Sequence, residues 1–228
     1  AMETQESIPV DYLGIPGAMG SLVQYVYQVP VLAKVRFAKW DELLQLKQPA
    51  KEQVYSNILV AFGKGIALAN TGKLNDAKAQ LQMIQEFMKD SVLQIPFTPF
   101  SPAIDGAVTA EHLLKGTIVL KENKLNDAIV AFKIAAITEE NMVYNEPRDW
   151  LLNPKHYYGD ALLNAKKGKE AQAVFEKDLL NNAENGWALM GLYQSLLLQQ
   201  KTKEAAAVKV RFEKAFKGAD VKIDSSIM

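Results

Sequence analysis

No cysteine occurs among the 228 residues. Disulfides, zinc–thiolate sites, iron–sulfur clusters and thiol nucleophiles are thereby excluded. The compartment stays open, because a thiol-free chain suits reducing and oxidising surroundings alike. Charge of one sign is also missing: 26 basic residues balance 26 acidic ones, so the electrostatic footprint that nucleic acid or an anionic membrane requires is absent. No apolar run approaches the ~18 residues of a membrane span, and Ala1 to Val10 has no signal-peptide pattern. Histidine is scarce, with only His112 and His156. No serine has a matched His and Asp, and no glycine-rich phosphate loop occurs. These absences leave no catalytic residue, metal site or cofactor to name.

What is present is an ordinary globular composition, 49% hydrophobic and 23% charged, long enough to bury roughly 70% of the unfolded surface. It is also repetitive. Lys-Leu-Asn-Asp-Ala stands at 73–77 and again at 124–128. Gly65, Gly116 and Gly159 each precede an alanine by twelve residues: Ala77, Ala128 and Ala171. Phe132 and Phe175 follow the last two alanines by four, with Leu81 in that place in the first copy. A further copy has Gly191 and, two residues late, Ala205. With Leu43 in a degenerate copy, the small-residue positions 43, 77, 128, 171 and 205 are separated by 34, 51, 43 and 34 residues. The two longer intervals equal 34 plus insertions of 17 and 9.

A 34-residue period with Gly and Ala at these places resembles the tetratricopeptide repeat. The resemblance implies an all-α fold: an α-solenoid, a right-handed superhelix of about five helical hairpins, with no sheet. It places units at 24–57 (degenerate), 58–91, 109–142, 152–183 and 184–217 within one domain, 24–220. Insertions fall at 92–108 and 143–151, with a partly irregular lead-in at 1–23 and a tail at 221–228. In such hairpins Gly65, Gly116, Gly159, Gly191, Ala77, Ala128, Ala171 and Ala205 let helices approach, while Phe132 and Phe175 fill the next layer. Thr71-Gly72-Lys73 and Lys167-Gly168-Lys169 supply the left-handed residue ending each first helix. Asn75 and Asn126 offer acceptors at the next helix start. The segment Asn145 to Trp150 with Pro154, and Asn185-Gly-Trp-Ala-Leu-Met-Gly-Leu192, is similar to the C-terminal part of bacterial proteins of this class. So is Arg36-Phe-Ala-Lys-Trp-Asp41. This implies upstream repeats and a bacterial cytoplasm or periplasm.

The resemblance also implies a concave groove lined by first helices, and a non-catalytic scaffold that grips a peptide or helix of a protein partner. Its repeat positions give Phe62, Ile66, Asn70, Leu113, Thr117, Lys121, His156, Asp160, Asn164 and Leu192 as groove candidates. The lysine and asparagine clamp that grips C-terminal carboxylates is missing, since Phe62, Gly63, Ile66, Leu113 and Leu114 stand there. His156 and Asp160, four apart, read as a hydrogen-bonded pair on one helix. The stretch Gln94 to Pro102 holds three prolines, which forbid helix, and two phenylalanines. Phe97 and Phe100 either enter the groove or pin a long loop to the core. Tyr144, Trp150, Tyr157 and Tyr158 fill the junction before the hairpin at 152–183. Two alternatives stand beside the scaffold: a small-molecule or glycan binder using these aromatics, and a structural segment whose groove is filled by its own chain. Val26, Val29 and Val31 would support self-association if upstream repeats are missing.

Overall fold

A computed structural model describes residues 2–144 and 148–228. It is all-helical: among the described residues there is no strand, only an isolated bridge between Phe97 and Phe100. Asn145 to Pro147, part of the expected lead-in to the third complete hairpin, lie outside the described residues. The chain divides into two compact units, Ala1–Leu152 and Asn153–Met228, where the sequence suggested one domain. The division falls at the end of the insertion expected at 143–151.

The first unit contains α1 (Met2–Glu6), α2 (Gly17–Arg36), α3 (Trp40–Leu44), α4 (Val54–Asn70), α5 (Leu74–Phe87), α6 (Ala103–Lys121) and α7 (Leu125–Asn141). Short 3-10 turns lie at Val10–Gly14 and Ser91–Gln94. α4 is buried almost all round and packs on α2, α3, α5 and α6. The lead-in is more regular than expected. Gly17 to Ser21 already belong to α2, which Pro16 precedes in extended conformation. Val31 is 1% exposed, with its Cγ1 crowding the open side of Gly63. It therefore belongs to the core rather than to a surface for self-association.

The second unit contains α8 (Pro154–Asn164), α9 (Gly168–Asn181), α10 (Gly186–Leu198) and α11 (Thr202–Ala215). α9 packs on α8 and α10, and α10 packs on α11.

Five helix-to-helix turns share one backbone design. The residues in left-handed conformation are Ala38, Gly72, Asn123, Lys166 and Gln200, with φ of 51°, 81°, 63°, 60° and 61°. Their spacing repeats the intervals of 34, 51, 43 and 34 residues. A lysine follows each one. The amides of Lys39, Lys73, Lys124, Lys167 and Lys201 donate to the carbonyls of Lys34, Leu68, Val119, Leu162 and Leu196 at 2.8–3.0 Å. This six-to-one bond closes a helix end when the penultimate residue turns left-handed. Gly72 behaves as the sequence suggests. Gly168 does not: Lys166 makes the turn, and Gly168 is buried as the first residue of α9.

The small residues sit in the seams. A methyl carbon on Gly116 would lie 2.5 Å from the Phe132 ring, and one on Gly65 would lie 2.5 Å from Leu114 Cδ2. Methyl carbons on Gly159 and Gly191 would lie 2.3 Å and 2.2 Å from the same ring, that of Phe175. Gly191 thus faces the preceding hairpin rather than α11, which fits its departure from the twelve-residue spacing to Ala205. Ala77, Ala128, Ala171 and Ala205 are all at most 1% exposed. Leu81, the counterpart of the two phenylalanines, is half-buried, and Leu114 takes the place against Gly65.

Helix starts differ from expectation. Asn75 and Asn126 lie inside α5 and α7, whose caps, Lys73 and Lys124, make no side-chain capping bond. Buried Gln24 of α2 instead caps α4 from a distance. Its Oε1 accepts from the amides of Tyr55 (2.9 Å) and Ser56 (3.1 Å), and its Nε2 donates to the Leu13 carbonyl (3.0 Å).

Two stability predictions follow from this geometry. Lys166→Gly relieves left-handed strain at a turn and should raise stability by about 1 kcal/mol, whereas Gly72→Ala should lower it by a similar amount, as read by urea denaturation. Gln24→Ala strands two buried amides and should cost about 2 kcal/mol in the same assay.

Candidate functional site

The inner-face positions divide between the two units. In the first, Phe62, Ile66 and Leu113 are at most 1% exposed. They are core, not open groove. Phe62 also meets a segment the repeat pattern does not contain. Trp150, 2% exposed, stands edge-on to Phe62 with ring centroids 5.4 Å apart. Its Nε1 donates to the Leu152 carbonyl at 2.7 Å, and Leu152 is itself buried. Thr117 is buried and donates its hydroxyl to the Leu113 carbonyl, and Asn70 donates to the Ile66 carbonyl. Both side chains are therefore committed to their own helices. Lys121 is exposed at the end of α6.

The Pro-Phe insertion is attached beside this face. Phe97 and Phe100 lie with ring centroids 5.6 Å apart across a cis Thr98–Pro99 bond. Phe97 helps to line a cavity of about 30 Å³ with Tyr25, Tyr55, Gly106 and Asp149. The two tyrosine rings are stacked, centroids 6.1 Å apart. Burial, with Tyr55 and Asp149 nearby, pushes the Tyr25 phenol well above its ordinary value, and burial likewise raises Tyr55. Such a space suits a water molecule. Ligand pockets for sugars or nucleotides are roughly ten times larger. Of the junction aromatics, Tyr144 is exposed with Arg148 over its ring, while Trp150 and Tyr157 are buried.

In the second unit the expected His156–Asp160 pair does not form. Each residue turns to a different partner. His156 is fully buried, and its Nε2 lies 2.9 Å from Asp178 Oδ2 on α9. Asp178 also accepts from the side-chain amides of Asn153 and Asn182. Asn153 is the cap of α8, its Oδ1 accepting from the Lys155 amide, so one carboxylate ties the helix start to the neighbouring helix. Burial pushes the Asp178 carboxyl upward, but hydrogen bonding and attraction from His156, with the bonds from Asn182 and Asn153, hold it below its ordinary value. A carboxyl lowered by folding stabilises the fold above its unfolded value near 3.8 and loses that contribution as pH falls through the lowered value.

Asp160 faces the tail. Its Oδ1 accepts from the Ser225 hydroxyl at 2.6 Å, and its Oδ2 accepts from Asn164 at 3.0 Å. Burial raises the Asp160 carboxyl, and these two donors partly offset the rise. Ser226 is fully buried and donates its hydroxyl to the His156 carbonyl at 2.9 Å. On α10, Gln194 donates to the Asp224 carbonyl. Leu192 is 4% exposed and belongs to the core, whereas Asn164 is exposed. The tail therefore lies against both first helices of this unit, on His156 and Asp160 of the expected groove.

Sequence reasoning missed Asp178, Asn153, Asn182, Gln194, Ser225 and Ser226. Only Asn153 carries a local signal, an asparagine directly before a proline at a helix start. Among the described residues, no group of three potential ligands is arranged for a metal ion, and no helix is long and apolar enough to cross a membrane. No family model matches the chain, and no curated protein or solved structure is significantly similar to it.

Removing the shared carboxylate tests this network. Asp178→Ala leaves His156 and two amides without their acceptor and should cost about 3 kcal/mol. Asp160→Asn keeps an acceptor for Ser225 while removing a buried charge, so its melting temperature should stay within a few degrees of the wild type.

Proposed function

We propose that this chain is a non-catalytic interaction scaffold of the tetratricopeptide-repeat type, each unit a segment of α-solenoid that holds peptide on its first helices. The observation that carries this reading is the seat of Asp224 to Ser226. A short bent stretch with no helix of its own is gripped by Asp160, Gln194 and a backbone carbonyl of α8. The five like turns support the hairpin-repeat assignment because they recur at the intervals of the sequence repeat, and the seam glycines Gly65, Gly116 and Gly159 follow two of those intervals.

Polar groups that read a backbone carbonyl and two hydroxyls in this way support a binding role. The His156–Asp178 pair is wholly buried, and Asp178 ties the cap of α8 to α9. The resemblance to bacterial repeat proteins favours a bacterial setting, and the partner in this reading is a protein segment rather than nucleic acid.

An array of 12-residue linear peptides probed with the full chain tests the reading. A subset should bind, and binding should drop in an Asn164→Ala, Gln194→Ala variant of unchanged melting temperature. Capture of no linear peptide by either protein would contradict it.

A further inference from the structure

Segment 219–228 makes few commitments before it reaches α8. Lys217, Gly218, Ala219, Asp220, Lys222 and Asp224 are exposed, with Val221 and Ile223 only half-buried. Order arrives over three residues. The Asp224 carbonyl is read by Gln194, the Ser225 hydroxyl by Asp160, and the Ser226 hydroxyl by the His156 carbonyl. One contact reads backbone and two read side chains, and both side-chain contacts require a donor. Ser226 is 0% exposed, so a larger residue has no room there.

Resting on the scaffold reading above, we propose that this face recognises a short bent segment with two consecutive hydroxyl residues, and that Asp224 to Ile227 is its displaceable occupant in cis. The chemistry sets the selectivity. Asp160 is half-buried and already takes Asn164 on its second oxygen. The first recognised residue must therefore bring a donor and no negative charge. A glutamate or phosphoserine there would set two anions together in a poorly solvated place. At the second position alanine loses the bond to the helix carbonyl. A short, loosely held tether gives the cis segment an effective concentration in the millimolar range, so a partner segment competes only when its own affinity or its other contacts exceed that. The same tail on a second copy of this chain belongs to the same ligand class.

The test uses the full chain and a fluorescent peptide of residues 219–228. In the Ser225→Glu chain the cis segment should be expelled, seen as about tenfold faster tryptic cleavage after Lys222 with helical circular dichroism unchanged. That chain should bind the peptide at least tenfold more tightly than wild type does, and peptides carrying Ser225→Glu or Ser226→Ala should lose about tenfold in affinity. Ser226→Ala in the chain, which removes the tail's own bond to the His156 carbonyl and leaves the face intact, provides a second release variant should Ser225→Glu misfold. A two-chain mass at high concentration that vanishes when excess peptide is added would identify a second copy as a natural occupant and support the proposal. Equal cleavage of wild-type and release-variant tails would overturn it, as would a released tail with no peptide binding, or equal binding of the Ser225→Glu peptide. In any of these cases the scaffold reading still stands or falls by the peptide array.

Discussion

Close approach of helices at glycine governs this structure. The Phe175 ring, 0% exposed, occupies space that side chains at Gly159 and Gly191 would fill. One ring thus touches α8 and α10 from α9 and sets the spacing of three helices. Phe132 against Gly116 and Leu114 against Gly65 do the same in the first unit. A buried phenylalanine contributes about 3–5 kcal/mol by comparison with alanine, most of it lost if the ring is pushed off its seat. The turns then need only connect helices whose separation is already decided, which explains why Ala38, Lys166 and Gln200 are tolerated in a backbone conformation that favours glycine.

Packing of this kind is legible in a sequence because it is periodic. Positions 77, 128, 171 and 205 revealed the hairpins, and each stands five residues after a left-handed residue. Gly168 was misassigned because glycine is a conspicuous turn residue; the chain placed Lys166 in the turn and used Gly168 for close packing beneath α10. Asn75 and Asn126 misled in the same manner, since a capping residue type one position inside a helix has the same composition as a cap. The long reach of Gln24 to the amides of α4 spans 31 residues and leaves no local pattern.

The candidate site was only partly legible. His156 and Asp160 were singled out as groove residues; the Asp160 carboxylate meets the tail, whereas the His156 ring turns to Asp178 and only its carbonyl meets the tail. Their partners were not foreseeable, because Asp178 and Ser225 lie 22 and 65 residues away and no period relates them. Phe62, Ile66 and Leu113 were taken for groove because the repeat alone would leave them open. Trp150, from an insertion that the repeat does not describe, covers Phe62. Residues outside the repeat thus cover positions such as Phe62 and Asp160 that the repeat pattern alone would leave open.

A double-mutant cycle between Gly159→Ala and Phe175→Leu, read by urea denaturation, addresses the seam itself. The added methyl should be costly beside the phenylalanine ring and nearly harmless beside leucine, giving a coupling energy of about 1 kcal/mol or more. Costs that simply add, within about 0.5 kcal/mol, would contradict the claim that ring and glycine are two halves of one contact.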